Sequence, residues 1–407
     1  MAGKRKQKVR EQDVTGLKFF DRLLPLFERL HDVGCRRDTA GNRTLHFDQY
    51  CMLVLLYLFN PIVTSLRAIQ QASELKNVQR KLKCKRASLG SLSEATEVFE
   101  PELLREIIGE LSKQLKPIKN VGQDHVKHIL TAVDGTVVKT LTSITEAAYL
   151  KNIHGNTKSA WRIHTHFDID RHVPTQMDVT VGLNSGKTDE KYVLRKALQA
   201  DHCYVMDRWY AEFLLWNDIN AIGSSYVCRV RDNSAYDVLE ERPLSDAARE
   251  ADILFDGIVR FGASSKAAAR PNHPIRLIQI KTSSHTRRGK YEGGATGPSS
   301  DGILRIVTNL VDAPVEIISD IYEHRWTVEI FFRFFKHILG CRHLLSQDPV
   351  GIEIQTYMAI IACMLISLWT GRKPTLRTYE MICYYFTGMA DEDELIAHIE
   401  KLKPQPA

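Results

Sequence analysis

The sequence predicts an α/β layer fold whose mixed sheet is interrupted by a β-rich insertion, with an all-helical N-terminal region and a small helical C-terminal region. Three observations predict it. The apolar pattern is helical from about Leu17 to Leu115, then changes at His128 to runs of strand length. From there strands and helices follow a β-hairpin-α-β order, the pattern that layers helices over a sheet. Finally, turn-rich strand patterns at about 224–302 break the alternation, which resumes at Leu304–Leu310.

At 407 residues the chain is long enough for two or three domains and a substantial core. Its 44% hydrophobic and 26% charged content are ordinary for a globular protein. The net charge of +6 is unevenly placed. Residues 1–120 hold 22 Lys+Arg and 14 Asp+Glu, a balance of +8, which leaves 33 against 35, or −2, for the remainder. A basic front end suits a polyanion, and a solvated basic surface is the plainer alternative.

The start, MAGKRKQKVR, is a basic tail without an apolar leader. Tyr50–Phe59 reads as a buried helix, and Ser65 as the N-cap of another. The basic stretch Arg80–Arg86 followed by Ser88-Leu-Gly-Ser fits a helix-turn-helix-like DNA reader. His128–Val133 is a strand running into Asp134-Gly. Ala160–Asp168 and Thr175–Leu183 form a hairpin, Asp189–Ala200 a helix, and His202–Met206 a strand ending at Asp207, with a helix following through Asn217. In the insertion, Tyr226–Arg231, Ile258–Gly262 and Pro274–Thr282 are strands, and Arg287–Asp301 has loop composition. Ile354–Trp369 is the longest apolar stretch, is read as a core helix, and suggests no membrane role. The last 37 residues predict two helices. The expected division is 1–120, 121–223, 224–302, 303–370 and 371–407. Eight scattered cysteines without a Cys-x-x-Cys point to free thiols in a reducing, cytoplasmic compartment.

The most informative segment is Tyr322-x2-Arg325-x3-Glu329-x6-Lys336. At about 100° per residue these four side chains fall within roughly 60° of one helix face, with Arg333 beside them. Val328, Ile330, Phe331, Phe332, Phe334, Phe335, Ile338 and Leu339 cover the other directions, so the helix should be buried and its charged stripe should face partners. Asp134 and Asp207 end apolar strands, where active groups of open sheets gather. Three converging acids would hold hard divalent cations, Mg²⁺ with Mn²⁺ as a substitute. Two such ions could serve phosphoryl transfer. Taken singly, either Asp could simply start a turn or cap a helix.

Asp134-Gly-Thr, Asp207-Arg-x-Tyr210, Thr308-Asn-Leu and the Tyr322–Lys336 pattern closely resemble the DDE transposases of the insertion-sequence-four family, with its Y-R-E-K signature. The resemblance covers roughly residues 125–345. It implies an RNase H-like catalytic core and Mg²⁺-dependent cut-and-paste transposition at terminal inverted repeats. Asp134, Asp207 and Glu329 would be the metal ligands, and Tyr322, Arg325 and Lys336, with Arg333 nearby, would contact DNA phosphates. Double-stranded DNA would be the partner, both as transposon ends and as target, with a homodimer on paired ends. Alternatives are a structure-specific nuclease and a non-catalytic DNA-binding derivative. Some members of that family form a DNA hairpin with a flipped base stacked on a tryptophan of the insertion. No Trp lies between Trp216 and Trp326 here, which leaves Tyr226, Phe261 or Tyr291.

Lesser candidates are His164 and His166 near the metals, and a His337, Cys341 and His343 cluster lacking zinc-finger spacing. Gly186-Lys-Thr lacks the opening glycine of a P-loop. Arg287, Arg288 and Lys290 could touch DNA.

Overall fold

The computed structural model describes residues 25–33, 37–122, 125–139, 148–151, 157–181, 186–262, 270–282, 301–337, 344–346 and 348–402. Helix α1 (Phe47–Phe59) is buried at nearly every position, as its unbroken apolar run requires. Ser65 caps the helix Leu66–Ser73 by accepting the Ala68 N–H at 3.2 Å. Ser88 caps the next turn by accepting the Ser91 N–H at 3.0 Å. That helix is only five residues long, Leu89–Ser93, and is followed by a four-residue one, Ala95–Val98. The helix Lys76–Leu82, the basic turn and the Ser88-capped helix follow one another in that order, with Glu94 in αR geometry between Leu89–Ser93 and Ala95–Val98. Helix α2 (Glu102–Gln114) completes the region.

Among the described residues the sheet has ten strands: β1 (Ile129–Lys139), β2 (Ala148–Lys151), β3 (Thr157–Asp168), β4 (Val173–Val181), β5 (His202–Met206), β6 (Ser225–Arg229), β7 (Tyr236–Glu241), β8 (Ile253–Phe261), β9 (Ile275–Lys281) and β10 (Ile303–Thr308). Their order is β2-β3-β1-β5-β6-β10-β9-β8-β7, with β4 also on β3. β1, β5 and β6 run parallel, and every other pairing is antiparallel. The fold is thus mixed α/β, and the strands of the β-rich segment continue the central sheet through β10.

Helices α3 (Glu190–Ala197) and α4 (Phe213–Ala221) cover one sheet face, over Val133, Tyr204, Met206 and Tyr226. On the other face lie α5 (Val315–Glu323), α6 (Thr327–His337) and α7 (Pro349–Thr370). One continuous core joins α1, α2 and α7 to Ala132, Ile163 and Phe167 of that face. α7 has 22 residues, longer than its apolar run suggested because Asp348 caps it and Pro349 opens it. By length and composition it could cross a membrane, but 89% of its apolar window is buried inside the protein. Helices α8 (Leu376–Thr387) and α9 (Glu392–Leu402) finish the chain. The cysteines among the described residues are free and buried.

Candidate active site

Asp134 does not end its strand. β1 continues through it to Lys139 because β3 keeps pairing as far as Lys139↔Ala160, whereas the parallel ladder with β5 stops at Val133↔Met206. Asp134 and Asp207 are therefore the next residues beyond that last rung on two adjacent strands, which lie about 4.8 Å apart. Each carboxylate has one oxygen fixed by nearby backbone. Asp134 Oδ1 accepts the Gly135 N–H at 2.8 Å. Asp207 Oδ1 accepts the Trp209 N–H at 2.8 Å and so caps the 3-10 turn Arg208–Tyr210.

The Tyr322–Lys336 segment is not one helix. α5 ends at Glu323, a 3-10 turn spans His324–Trp326, and α6 begins at Thr327. The His324 ring nitrogen lies 2.9 Å from the Asp320 carbonyl oxygen, and Thr327 Oγ1 donates to the His324 carbonyl at 2.7 Å, which tightens the join. Arg325 sits in this turn and reaches both sides. Its Nη2 lies 2.9 Å from Glu329 Oε1, and its Nη1 lies 3.8 Å from Asp134 Oδ2. A guanidinium only 14% exposed thus bridges a carboxylate of the sheet and one of the helix.

The electrostatics of Asp134 register both of the other acids. Burial raises the Asp134 carboxyl to about 7; Arg325 and the Gly135 N–H oppose the rise, while the charges of Asp207 and Glu329 add to it. Three acids that repel one another, with only a guanidinium between two of them, are a donor set suited to a hard cation. Their chemistry is that of a hard-cation donor set, although among the described residues the oxygens of Asp134, Asp207 and Glu329 do not all lie within 4.8 Å of one another as arranged here. Burial likewise pushes the Tyr322 phenol up to about 12, although Arg325 and Arg229 draw it down. Tyr322 and Arg325 line a surface cavity of about 310 Å³ with Trp326, Leu304 and Ile280.

The other expected positions divide. Lys336 is half-buried and Arg333 exposed on α6. Ile330 and Trp326 are also exposed, at 48% and 39%, so the helix is less enclosed than its composition suggested. Val328 and Phe335 fill the core instead.

His164 and His166 pair with Gly135 and Val133, which puts them on the sheet face opposite the Asp134 side chain and away from the acids. His164 Nε2 lies 2.8 Å from Thr180 Oγ1, a structural contact. Tyr226 and Phe261 are buried, and Tyr226 stacks on Trp216, so neither offers a face to a base. The exposed indoles near the acids are Trp209 and Trp326. Gly186–Thr188 is a 3-10 turn ahead of the Asp189 cap of α3. Cys341, His343, Arg287, Arg288, Lys290 and Tyr291 lie outside the described residues, as does the His337 side chain.

Sequence reasoning missed Glu190 and Arg162, a buried ion pair beneath Gly135. The glycine of Asp134-Gly was the available signal, since a residue without Cβ often marks a close approach.

Among proteins of known family, the chain is similar to a putative transposase of Sinorhizobium fredii, 23% identical over 51% of this chain and 52% of that one. A probable transposase for insertion sequence element IS5377 of Geobacillus stearothermophilus is 40% identical over 16% of this chain and 17% of that one. The chain thus spans about half the first relative's length and less of the second. A cryo-EM structure of a piggyBac transposase synaptic complex with hairpin DNA aligns at a TM-score of 0.39 and 11% identity, over 96% of this chain and 84% of that one. The transposase DDE domain matches residues 126–365, well over half of the 407, and its span takes in all three carboxylates and the Arg325 bridge: the chain belongs to the family of transposases with a DDE domain.

Proposed function

We propose that the protein is a cut-and-paste DNA transposase of the insertion-sequence-four type, acting at the terminal inverted repeats of an insertion sequence. The observation that carries the reading is the Arg325 bridge between Asp134 and Glu329, beside an Asp207 whose charge Asp134 feels. The strand order β4-β3-β1-β5-β6, antiparallel and then parallel, supports an RNase H-like core.

Asp134, Asp207 and Glu329 would hold two Mg²⁺ ions, or Mn²⁺ in their place. When bound, such ions polarise the scissile phosphate and stabilise the attacking and leaving oxygens. Arg325 keeps Glu329 turned toward Asp134, so the acids are pre-positioned before DNA arrives. Tyr322 stays protonated well above neutral pH and serves as a phosphate donor, with Lys336 and Arg333 as cations along the same strand. In the first step water attacks phosphorus and the P–O3′ bond breaks, leaving a 3′-hydroxyl and a 5′-phosphate. In the second, that hydroxyl attacks a target phosphodiester, joining the strands and releasing a target 3′-hydroxyl. Two ends cut in concert call for a homodimer on paired DNA.

The test uses the full chain, Mg²⁺ and duplex DNA carrying the element's own ends, with a plasmid as target. Cleavage with strand joining is expected, and Glu329→Ala is expected to abolish it while end binding survives. Cleavage without joining would favour a structure-specific nuclease. Binding without cleavage would leave a DNA-binding derivative, and one protein per two ends in light scattering would remove the dimer.

A further inference from the structure

Glu190 is the first residue of α3 and only 7% exposed, and it is ion-paired with Arg162 of β3. Its carboxylate rests on the Gly135 backbone. A Cβ at Gly135 would lie 2.6 Å from Glu190 Oε1 and 2.9 Å from its Cδ, closer than such atoms approach. Gly135 is also the residue whose N–H holds Asp134 Oδ1. Glu190 therefore occupies the space that a side chain at Gly135 would need, next to the N–H that holds Asp134.

The register explains the arrangement. Gly135↔His164 and Val137↔Arg162 put Arg162 on the α3 face, while Asp134↔Thr165 puts the Asp134 side chain on the α6 face. Glu190 is thus sealed beneath the sheet and cannot reach a substrate. Its charge is nevertheless felt through the sheet edge. Burial raises the Glu190 carboxyl, Arg162 lowers it, and Asp207 raises it again. The buried Tyr210 hydroxyl, three residues beyond Asp207, responds after burial to Glu190, Asp134 and Asp207 together.

We propose that the Arg162–Glu190 pair is a positioning device for the carboxylate cluster: Glu190 fixes the Gly135 peptide that aims Asp134, and the neutrality of the pair sets how tightly the cluster holds a divalent cation. The inference rests on the metal-dependent reading above. A buried pair kept only for folding would alter stability alone. Removing Glu190 leaves the Arg162 cation under the cluster, where it opposes a second cation.

The experiment titrates Mn²⁺ into the full chain without DNA, followed by electron paramagnetic resonance, alongside melting temperatures. Glu190→Gln is expected to weaken Mn²⁺ binding about tenfold, the usual cost of losing a group that supports metal ligands. Adding Arg162→Gln should recover affinity to within about threefold of the parent, because both charges are then gone. Gly135→Ala, the arm to use should Glu190→Gln not fold, is expected to weaken binding by a similar factor, about tenfold. Affinity unchanged in Glu190→Gln or Gly135→Ala, even with a lower melting temperature, overturns the proposal. So does a double variant as weak as Glu190→Gln. A parent protein that neither binds Mn²⁺ saturably nor cleaves DNA overturns the functional reading first, and this inference with it.

Discussion

At the scale of single residues, the site is held in a conformation that costs the metal-free protein stability. Asp134 has an ordinary carboxyl pKa of 3.8 that burial raises to about 7, so the folded state binds more protons than the unfolded one between those values. Stability of the metal-free chain therefore falls as pH rises from about 4 through about 7. Above that range the whole penalty is present. Asp134→Asn removes the charge but keeps the shape, and should stabilise the metal-free protein at pH 8 by about 2 kcal/mol, roughly half of what a three-unit shift is worth, since the amide is still buried. On the proposed function, the same variant should not cleave DNA. Melting curves at pH 5 and pH 8 decide it: the parent should lose stability between them from this group, and the variant should lose less. If Asp134→Asn melts below its parent at pH 8, the carboxyl is not the strained group. Gain of stability with loss of activity is the signature of a functional site held against its own electrostatics.

At the scale of elements, the helix carrying Tyr322 is aimed from a distance. Arg276 on β9 makes a two-toothed pair with Asp256 of β8, with both contacts at 2.7 Å and both side chains about 5% exposed. Its remaining Nη1 donates to the carbonyls of Ala313 at 2.5 Å and of Leu310 and Val311 at 3.2 Å. Arg242 donates to the Val311 carbonyl as well. The strands of the β-rich segment thus clamp the loop that launches α5. Asp256→Ala leaves a buried guanidinium unpaired and should cost about 3–5 kcal/mol, read as a lower urea midpoint. A loss below about 1 kcal/mol would show that the carbonyls suffice. None of this clamp was legible in the sequence, because ion pairing between strands depends on register rather than on spacing. The same limit hid β7, whose Tyr236–Glu241 faces solvent almost throughout and so carries no apolar alternation. By contrast β3, β4 and β5 were readable within a few residues, since each buries enough side chains to impose a pattern. The end of β1 was not: Asp134 looked terminal because Gly135 follows it, whereas the glycine makes room for Glu190 in mid-strand. The 3-10 turn at His324–Trp326 was equally hidden, for a helical period survives one tightened turn.

At the scale of the whole molecule, charge and packing pull in different directions. The first 120 residues carry a balance of +8 against −2 for the rest, which favours treating them as a detachable arm for DNA. The core argues otherwise. Phe47, Leu53, Leu104, Ile107 and Leu111 share one apolar cluster with Ile354, Ile360 and Ile361 of α7 and with Ile163 and Phe167 of the sheet. Arg105 of α2 is tied to Asp178 of β4 at 2.5 Å, and Tyr379 of α8 donates to the Leu58 carbonyl at 2.8 Å. Gly351 of α7 is wedged so closely that a Cβ there would sit 2.6 Å from Thr96 Cγ2. Deleting residues 1–120 would strip one side from a 22-residue apolar helix and expose far more than the few hundred Å² of contiguous apolar surface that monomers tolerate. The truncated chain is therefore expected to aggregate or to lose its cooperative melt, not to yield a soluble catalytic half. Size-exclusion chromatography and circular dichroism of residues 121–407 would settle this. A monodisperse fragment with a sharp thermal transition would mean that the basic region is a separable module. The expected failure would instead mean that residues 1–120 and the sheet carrying Asp134 and Asp207 fold as one cooperative unit. α7 is the element that joins the two, since it packs against both α2 and β4.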